Sequence, residues 1–353
     1  VPRLPGSAAL ARVESLVIDR LRDLGFQVTA TKFTASSGPL DAAGALGAGL
    51  GWIALLLVPL LIAPVPGWIA ALIAVSAALA VAVVAWGVQR GYLRAARHSG
   101  EVRNIEGRRG TPRVWLVAHS DSKAQPHSLR TRVVAVGVTA VGLAGLGLGV
   151  VLRLGGPSLP WMQALAIALP LLLGGALLSR SVPTDESPGA VDNATGMIAV
   201  LAALEALATR DDVGVLITGG EEYGMAGARV WSAGASRAEA FVNFDGIDDR
   251  GAYRVMVHRV RAARAAGQGL AECVAEELRG GHHTVRIGRL PPGVLVDGVV
   301  LARAGMPGVT VSRGDWSTLG IVHTRGDVPE RLDPEAAVQA GRAVAAALGR
   351  HLG

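Results

Sequence analysis

The chain has 353 residues, half of them apolar, with a mean hydropathy of +0.41 and a formal charge of +6. A single cysteine, Cys273, excludes an internal disulfide framework and a cysteine-built metal site, which leaves His, Asp and Glu for any chemistry. The positive charge does not mark a nucleic-acid binder, because the arginines sit beside apolar segments instead of forming a basic stripe interleaved with aromatics; a lipid bilayer is the expected acidic partner. The opening residues carry no basic-then-apolar leader, so no cleavable signal peptide is expected in them.

Residues 8–24 place Leu10, Val13, Leu16, Val17, Leu21 and Leu24 at helical spacing, and Gly25 ends the helix. "FQVTATKF" then alternates like a strand. From Ala42 to Gln89 no residue is charged, and "APVPG" (Ala63 to Gly67) divides the stretch into two segments of roughly 20 residues, the length that crosses a bilayer. A transmembrane hairpin is therefore expected over 42–89. Pro59 does not oppose it, since helices in lipid tolerate proline. Near its start, "GALGAGLG" suggests close helix packing by small residues; no strand or lysine accompanies it to make a phosphate loop.

"VRNIEGRR" and "RVWLVAHSD" follow as two strands, the second apolar enough to be buried on both faces. A second hairpin is expected over 133–179: Val133 to Leu152, the turn "RLGGPSLP", then Trp161 to Ser179, with Pro170 inside. Core helices of a soluble protein are the alternative, opposed by the lack of a polar face. Four spans place residues 1–41, 90–132 and 180–353 on one side as a single soluble domain. Arg90, Arg94, Arg97, Arg130, Arg132 and Arg180 flank the spans on that side, against Arg153 alone on the other, and the positive-inside rule makes it cytoplasmic.

Beyond the second hairpin come "PGAVDNATG", a helix with Met197, Val200, Leu201, Leu204 and Leu207 on one face, and a buried strand, "VGVLITGGEEYG", ending at Glu221 and Glu222. "AFVNFDG" repeats the pattern with Asp245, "MPGVTVSRG" gives another strand, and "DPEAA" opens a last helix with Asp333 as cap and Pro334 in the first turn. Strands alternating with helices predict an α/β layered fold with a mostly parallel sheet, whose ligand site lies beyond the carboxyl ends of its strands. His119, Glu221, Glu222 and Asp245 all fall there, and His323 lies in "GIVHTRGDVPERLDP". Two histidines and several carboxylates suit zinc or a similar divalent ion. By spacing alone, a metal site and a set of independent caps, turns and solvated acids both remain open.

The ordered motifs "AHSDS", "GAVDNATG", "GGEEYG", "NFDG" and "VHTRGD" resemble those of the co-catalytic dizinc aminopeptidase family, which includes bacterial leucyl aminopeptidases, glutamate carboxypeptidase and the glutaminyl cyclases. The resemblance covers essentially the whole soluble part and implies a three-layer zinc-peptidase domain. It further implies two Zn2+ ions bridged by Asp192, one completed by Glu222 and His323, the other by His119 and Asp245. Asp121 would hydrogen-bond the His119 imidazole and fix its tautomer, and Glu221 would be the general base acting on a water shared by the two ions. The stretch from Asp297 would line the pocket. The implied activity is hydrolysis of the N-terminal bond of peptides with a free amine. A glutaminyl cyclase, which in this family uses one zinc, a non-catalytic membrane scaffold, and an amidase or carboxypeptidase are the alternatives. The inserted hairpins depart from the soluble members; they would anchor the domain and narrow access to the site. His127, His282 and His283 read as surface or loop histidines, Asp248 and Asp249 as a solvated turn. "GDWSTLG" around Trp316 either walls the pocket or packs. Oligomeric state is not legible.

Overall fold

The computed structural model describes residues 1–90, 92, 96–234, 239–258, 264–290 and 294–351; Arg94, counted above among the flanking cations, lies outside them. The chain divides into two compact units, one made of residues 1–36, 98–124 and 184–353, the other of 37–97 and 125–183.

The first unit is an α/β layered domain. Its strands are β1 (Gln27–Ser36), β2 (Ser99–Arg108), β3 (Val114–His119), β4 (Val213–Thr218), β5 (Ala240–Ile247), β6 (Ala252–Val257), β7 (Val285–Arg289) and β8 (Gly308–Gly314). They form one sheet in the order β1-β2-β4-β3-β5-β8-β6-β7. The centre, β4-β3-β5-β8, is parallel; β2 joins β4 and β6 joins β8 antiparallel. The helices are α1 (Ala8–Asp23), α6 (Thr195–Ala206), α7 (Ala226–Gly234), α8 (Arg264–Gly280), α9 (Asp297–Arg303) and α10 (Glu335–His351).

Strand β3 shows why the layers form. Every one of its residues is buried, as a strand covered on both faces must be. Val114, Leu116 and Ala118 enter a core with α1, α6, α8 and α10, whereas Trp115 and Val117 point the other way into a core with α7 and α9. Trp115 and Trp231 meet edge to face at 5.0 Å in that second core. Ser7 caps α1 through its hydroxyl, Gly25 leaves that helix at a φ of +81°, and the Asp333 carboxylate accepts from the Glu335 N–H at the start of α10.

The second unit contains α2 (Gly38–Ile62), α3 (Gly67–Arg90), α4 (Leu129–Gly155) and α5 (Trp161–Ser179), all four long and apolar enough to cross a membrane. Leu57, Leu61, Leu146 and Leu171 form its core, while Trp52, Leu56, Leu79, Val141 and Leu169 face outward. The small residues of "GALGAGLG" let α2 meet α5 closely: a Cβ on Gly47 would stand 2.7 Å from Leu178 Cβ, and one on Gly175 2.5 Å from the Gly47 carbonyl. Pro59 and Pro170 lie inside helices. Arg153 is buried and donates to the carbonyls of Ala63, Val65 and Gly156, so it closes the turns at its end of the unit instead of standing free in solvent.

Both insertions depart and return at paired residues of the first unit. Ser36 and Ser99 are partners in the β1-β2 ladder, and Ala124 and Thr184 exchange two backbone hydrogen bonds of 2.8 Å.

Candidate metal centre

Parallel strands end together, and the motif residues gather beyond that end. His119 is the last residue of β3, Glu221 and Glu222 follow β4, Asp245 lies near the end of β5, and His323 follows β8. Asp192 comes from the turn before α6, where its backbone is extended (φ −120°, ψ 88°) and the Asp192–Asn193 peptide is cis. His323 sits at a φ of +64°, a conformation that costs a non-glycine residue energy and that surrounding contacts must hold.

Two ligand groups result, His119–Asp192–Asp245 and Asp192–Glu222–His323, each with donor atoms within 4.8 Å of one another. Asp192 belongs to both. Its Oδ1 is 3.0 Å from His119 Nε2 and its Oδ2 is 3.0 Å from His323 Nε2. His119 Nε2, Asp192 Oδ1 and Glu222 Oε1 are buried, and none makes a hydrogen bond of acceptable geometry. Unpaired buried polar atoms cost about 1–3 kcal/mol each, and three converging on one cradle of imidazoles and carboxylates fit a divalent cation such as zinc. All five residues assigned as ligands in the sequence are therefore brought together.

Charge inside the cradle shifts its members in opposite directions. Burial pushes the Asp192 carboxyl up, but His119 and His323 outweigh it and hold the group well below the usual carboxylate range. Burial likewise opposes ionisation of Glu222, yet Lys123 and His323 hold it at about 2. Burial drives Asp245 up to about 7 and Glu221 well above its ordinary value, with neighbouring carboxylates adding to both. The Glu221 side chain makes no hydrogen bond among the described residues, which leaves its carboxyl free beside the cradle.

Asp121 differs from its expected contact. His119 Nδ1 lies 3.1 Å from the Asp121 carbonyl and 3.7 Å from its carboxylate. That carboxylate accepts instead from the backbone N–H groups of Glu221 and Glu222, both at 3.1 Å. Two convergent N–H donors satisfy it better than one ring nitrogen, so Asp121 orients the ring through its backbone and the glutamate pair through its side chain. Asp248, expected as part of a solvated turn, is fully buried: it accepts from Thr318 Oγ1 at 2.6 Å and pairs with Arg331 at 3.0 Å. Trp316 is 54% exposed and does not pack into the core, while Asp297 is buried at the start of α9, hydrogen-bonded to Thr218 and raised by burial to about 6.

Three supporting residues escaped the sequence reading. Buried Asp327, in "VHTRGD", accepts from the N–H groups of Val191 at 2.7 Å and Asp192 at 3.2 Å, which fixes Asp192 from behind. Buried Arg3 donates to the carbonyls of Ser120 at 2.7 Å and Gly189 at 3.0 Å, and also to Pro188. It thereby ties the loop after His119 to the loop before Asp192. Lys123, buried two residues past Asp121, is ion-paired with Glu222. Only Asp327 had a signal in the sequence, four residues after His323.

Comparison with known proteins agrees with this architecture. No curated protein matches the chain. Among solved structures, the fold is similar to a zinc aminopeptidase from Bacillus subtilis (TM-score 0.54, 14% identity, 99% of this chain and 91% of that one) and to the glutaminyl cyclase of Porphyromonas gingivalis (TM-score 0.55, 16% identity, 99% and 92%). An aminopeptidase from Aneurinibacillus is similar at TM-score 0.54 and 12% identity, over 99% and 90% of the two chains. Residues 178–348 match the model of Peptidase family M28. The resemblance read in the motifs is borne out by this family match and by the fold of these structural neighbours.

Proposed function

We propose that the chain is a membrane-anchored zinc aminopeptidase whose soluble domain, residues 1–41, 90–132 and 180–353, hydrolyses the N-terminal bond of peptides with a free amine. The observation that carries this reading is Asp192, which presents one oxygen to His119 and the other to His323 at the same 3.0 Å. A carboxylate so placed is built to be shared by two cations, with His119 and Asp245 on one side and Glu222 and His323 on the other. Two zinc ions held there would polarise an amide carbonyl and acidify a water, and their charge would favour the ionised form of Glu221 that a general base needs. Glu221 then takes a proton from the attacking water and returns it to the leaving amine, a shuttle that requires a carboxyl with a raised affinity for protons. Asp121 holds Glu221 and Glu222 by their backbone, Asp327 holds Asp192, and Arg3 locks the two loops together.

The helices α2 to α5 serve as two membrane hairpins over 42–89 and 133–179. Arg153 donates to backbone carbonyls, whereas Arg90, Arg97, Arg130, Arg132 and Arg180 flank the spans at their other ends in the sequence, which supports a cytoplasmic domain. The partners are a peptide substrate and the bilayer, without nucleic acid.

A glutaminyl cyclase is the second reading, favoured by Lys123, whose charge already occupies part of the Glu222 side of the cradle. Mass spectrometry of a mixed peptide library incubated with zinc-loaded, detergent-purified protein separates the readings. Stepwise loss of N-terminal residues from free-amine peptides, absent with Glu221→Gln, is the expected result. Loss of ammonia from Gln-initiated peptides would establish the cyclase, and no product with two ions bound would point to a scaffold.

A further inference from the structure

The aminopeptidase reading treats the two halves of the cradle as equals, but a buried cation sits on one of them. Lys123 is 6% exposed, and its Nζ is ion-paired with Glu222 Oε2, the carboxylate that also lies 3.5 Å from His323 Nε2. No comparable cation is paired with Asp245 on the other side among the described residues. With metal bound, the three ligand carboxylates, Asp192, Asp245 and Glu222, would carry three negative charges; the Lys123 ammonium would offset one, and a single divalent ion the rest.

We infer that Lys123 is a resident cation that makes the two metal positions unequal: a first divalent ion seats at His119–Asp192–Asp245, and a second must displace the ammonium from Glu222 to seat at Asp192–Glu222–His323. The inference rests on the dimetal reading above. An ammonium and a divalent ion contending for one buried carboxylate repel each other strongly even at a high effective dielectric, and Lys123 has a flexible stem on which to retreat. The second ion is accordingly held more weakly, by about tenfold or more, and occupancy of that position follows the supply of metal. Activity that needs both ions would then rise and fall with free zinc while the first ion stays bound.

The test is calorimetric titration of metal-stripped, full-length protein in detergent with Zn2+, with bound metal counted by mass spectrometry. Wild type should bind in two resolved steps. Lys123→Met and Lys123→Gln, two neutral side chains of different polarity, should both tighten the second step by about tenfold while the first moves less than about threefold. Circular dichroism confirms that each variant is folded. Two equal steps in wild type would overturn the inference and leave the dimetal reading standing. The same holds if both variants weaken the second step or leave it unchanged. Absence of stoichiometric metal from wild type and both variants would instead sink the dimetal reading, and the inference with it.

Discussion

Replacing Arg3 by methionine tests whether the metal cradle is held from behind by backbone carbonyls. The guanidinium donates to Ser120, Pro188 and Gly189, all reached from a side chain that is only 4% exposed. Methionine has a similar length and apolar stem, so packing is largely kept while three carbonyl acceptors lose a charged donor. Each buried acceptor left unpaired costs about 1–3 kcal/mol, and partial access of water to the vacated space argues for the lower end. The expected total is about 3 kcal/mol. For a unit of this size, 1 kcal/mol moves the melting temperature by about 2–4 °C, so a fall of about 6–12 °C should appear in a fluorescence melt of the detergent-purified protein. Because Ser120 follows His119 and Gly189 precedes the Asp192 turn, zinc affinity should fall in the same variant. Arg3→Lys, which has no fork to span three acceptors, should lie between the two. A melting temperature within about 2 °C of wild type and unchanged zinc affinity would refute the clamp.

Asp327→Asn weakens the acceptor for the Val191 and Asp192 N–H groups; zinc affinity should drop about 10- to 100-fold, read by competition with a chromogenic chelator. Glu221→Gln should lower turnover by about 10²- to 10⁴-fold while metal content by elemental analysis is unchanged, and loss of metal instead would make Glu221 a ligand. Glu14 is buried with the Arg103 N–H and, at 3.6 Å, its guanidinium beside it, and burial raises it from 4.5 to about 7. The folded state therefore keeps a proton that the unfolded state releases. Stability from this group is full below pH 4.5, declines as pH rises, and is lost above about 7. Glu14→Gln should gain about 1–2 kcal/mol over wild type at pH 8 and nothing at pH 4.5, a gap that parallel melts would read after discounting for partial solvation. Gly47→Leu, which drives a side chain into Leu178 and Ser179, should loosen the α2–α5 contact by about 1–3 kcal/mol, seen as earlier unfolding in detergent.

Much of this molecule was legible because its signals are local. Strand β3 announces itself as a run of apolar residues ending in His119, and hydropathy marks the four helices long and apolar enough to cross a membrane without tertiary information. The five candidate ligands could be picked out because each occupies a short motif at the end of a strand or turn. What escaped depends on partners far along the chain. Asp248 looks like a turn residue in "GIDDR", and Thr318 and Arg331, 70 and 83 positions later, make its burial tolerable. Arg3 reads as an ordinary flanking charge until Ser120 and Gly189 surround it. Asp121 was correctly placed beside His119, but the choice between a ring nitrogen and two backbone N–H groups is set by how β3 and β4 end side by side, which spacing does not encode.

The position of the second insertion has a consequence for biosynthesis. His119 emerges from the ribosome before α4 and α5, whereas Asp192, Glu222, Asp245 and His323 all follow them. On the proposed reading, neither ion could be seated before the last hairpin has been made. Until then β3, greasy on both faces, has neither β4 nor β5 beside it. The nascent chain must be shielded over that interval, and on the proposed reading metal acquisition would follow completion of the second hairpin and not the first appearance of a ligand.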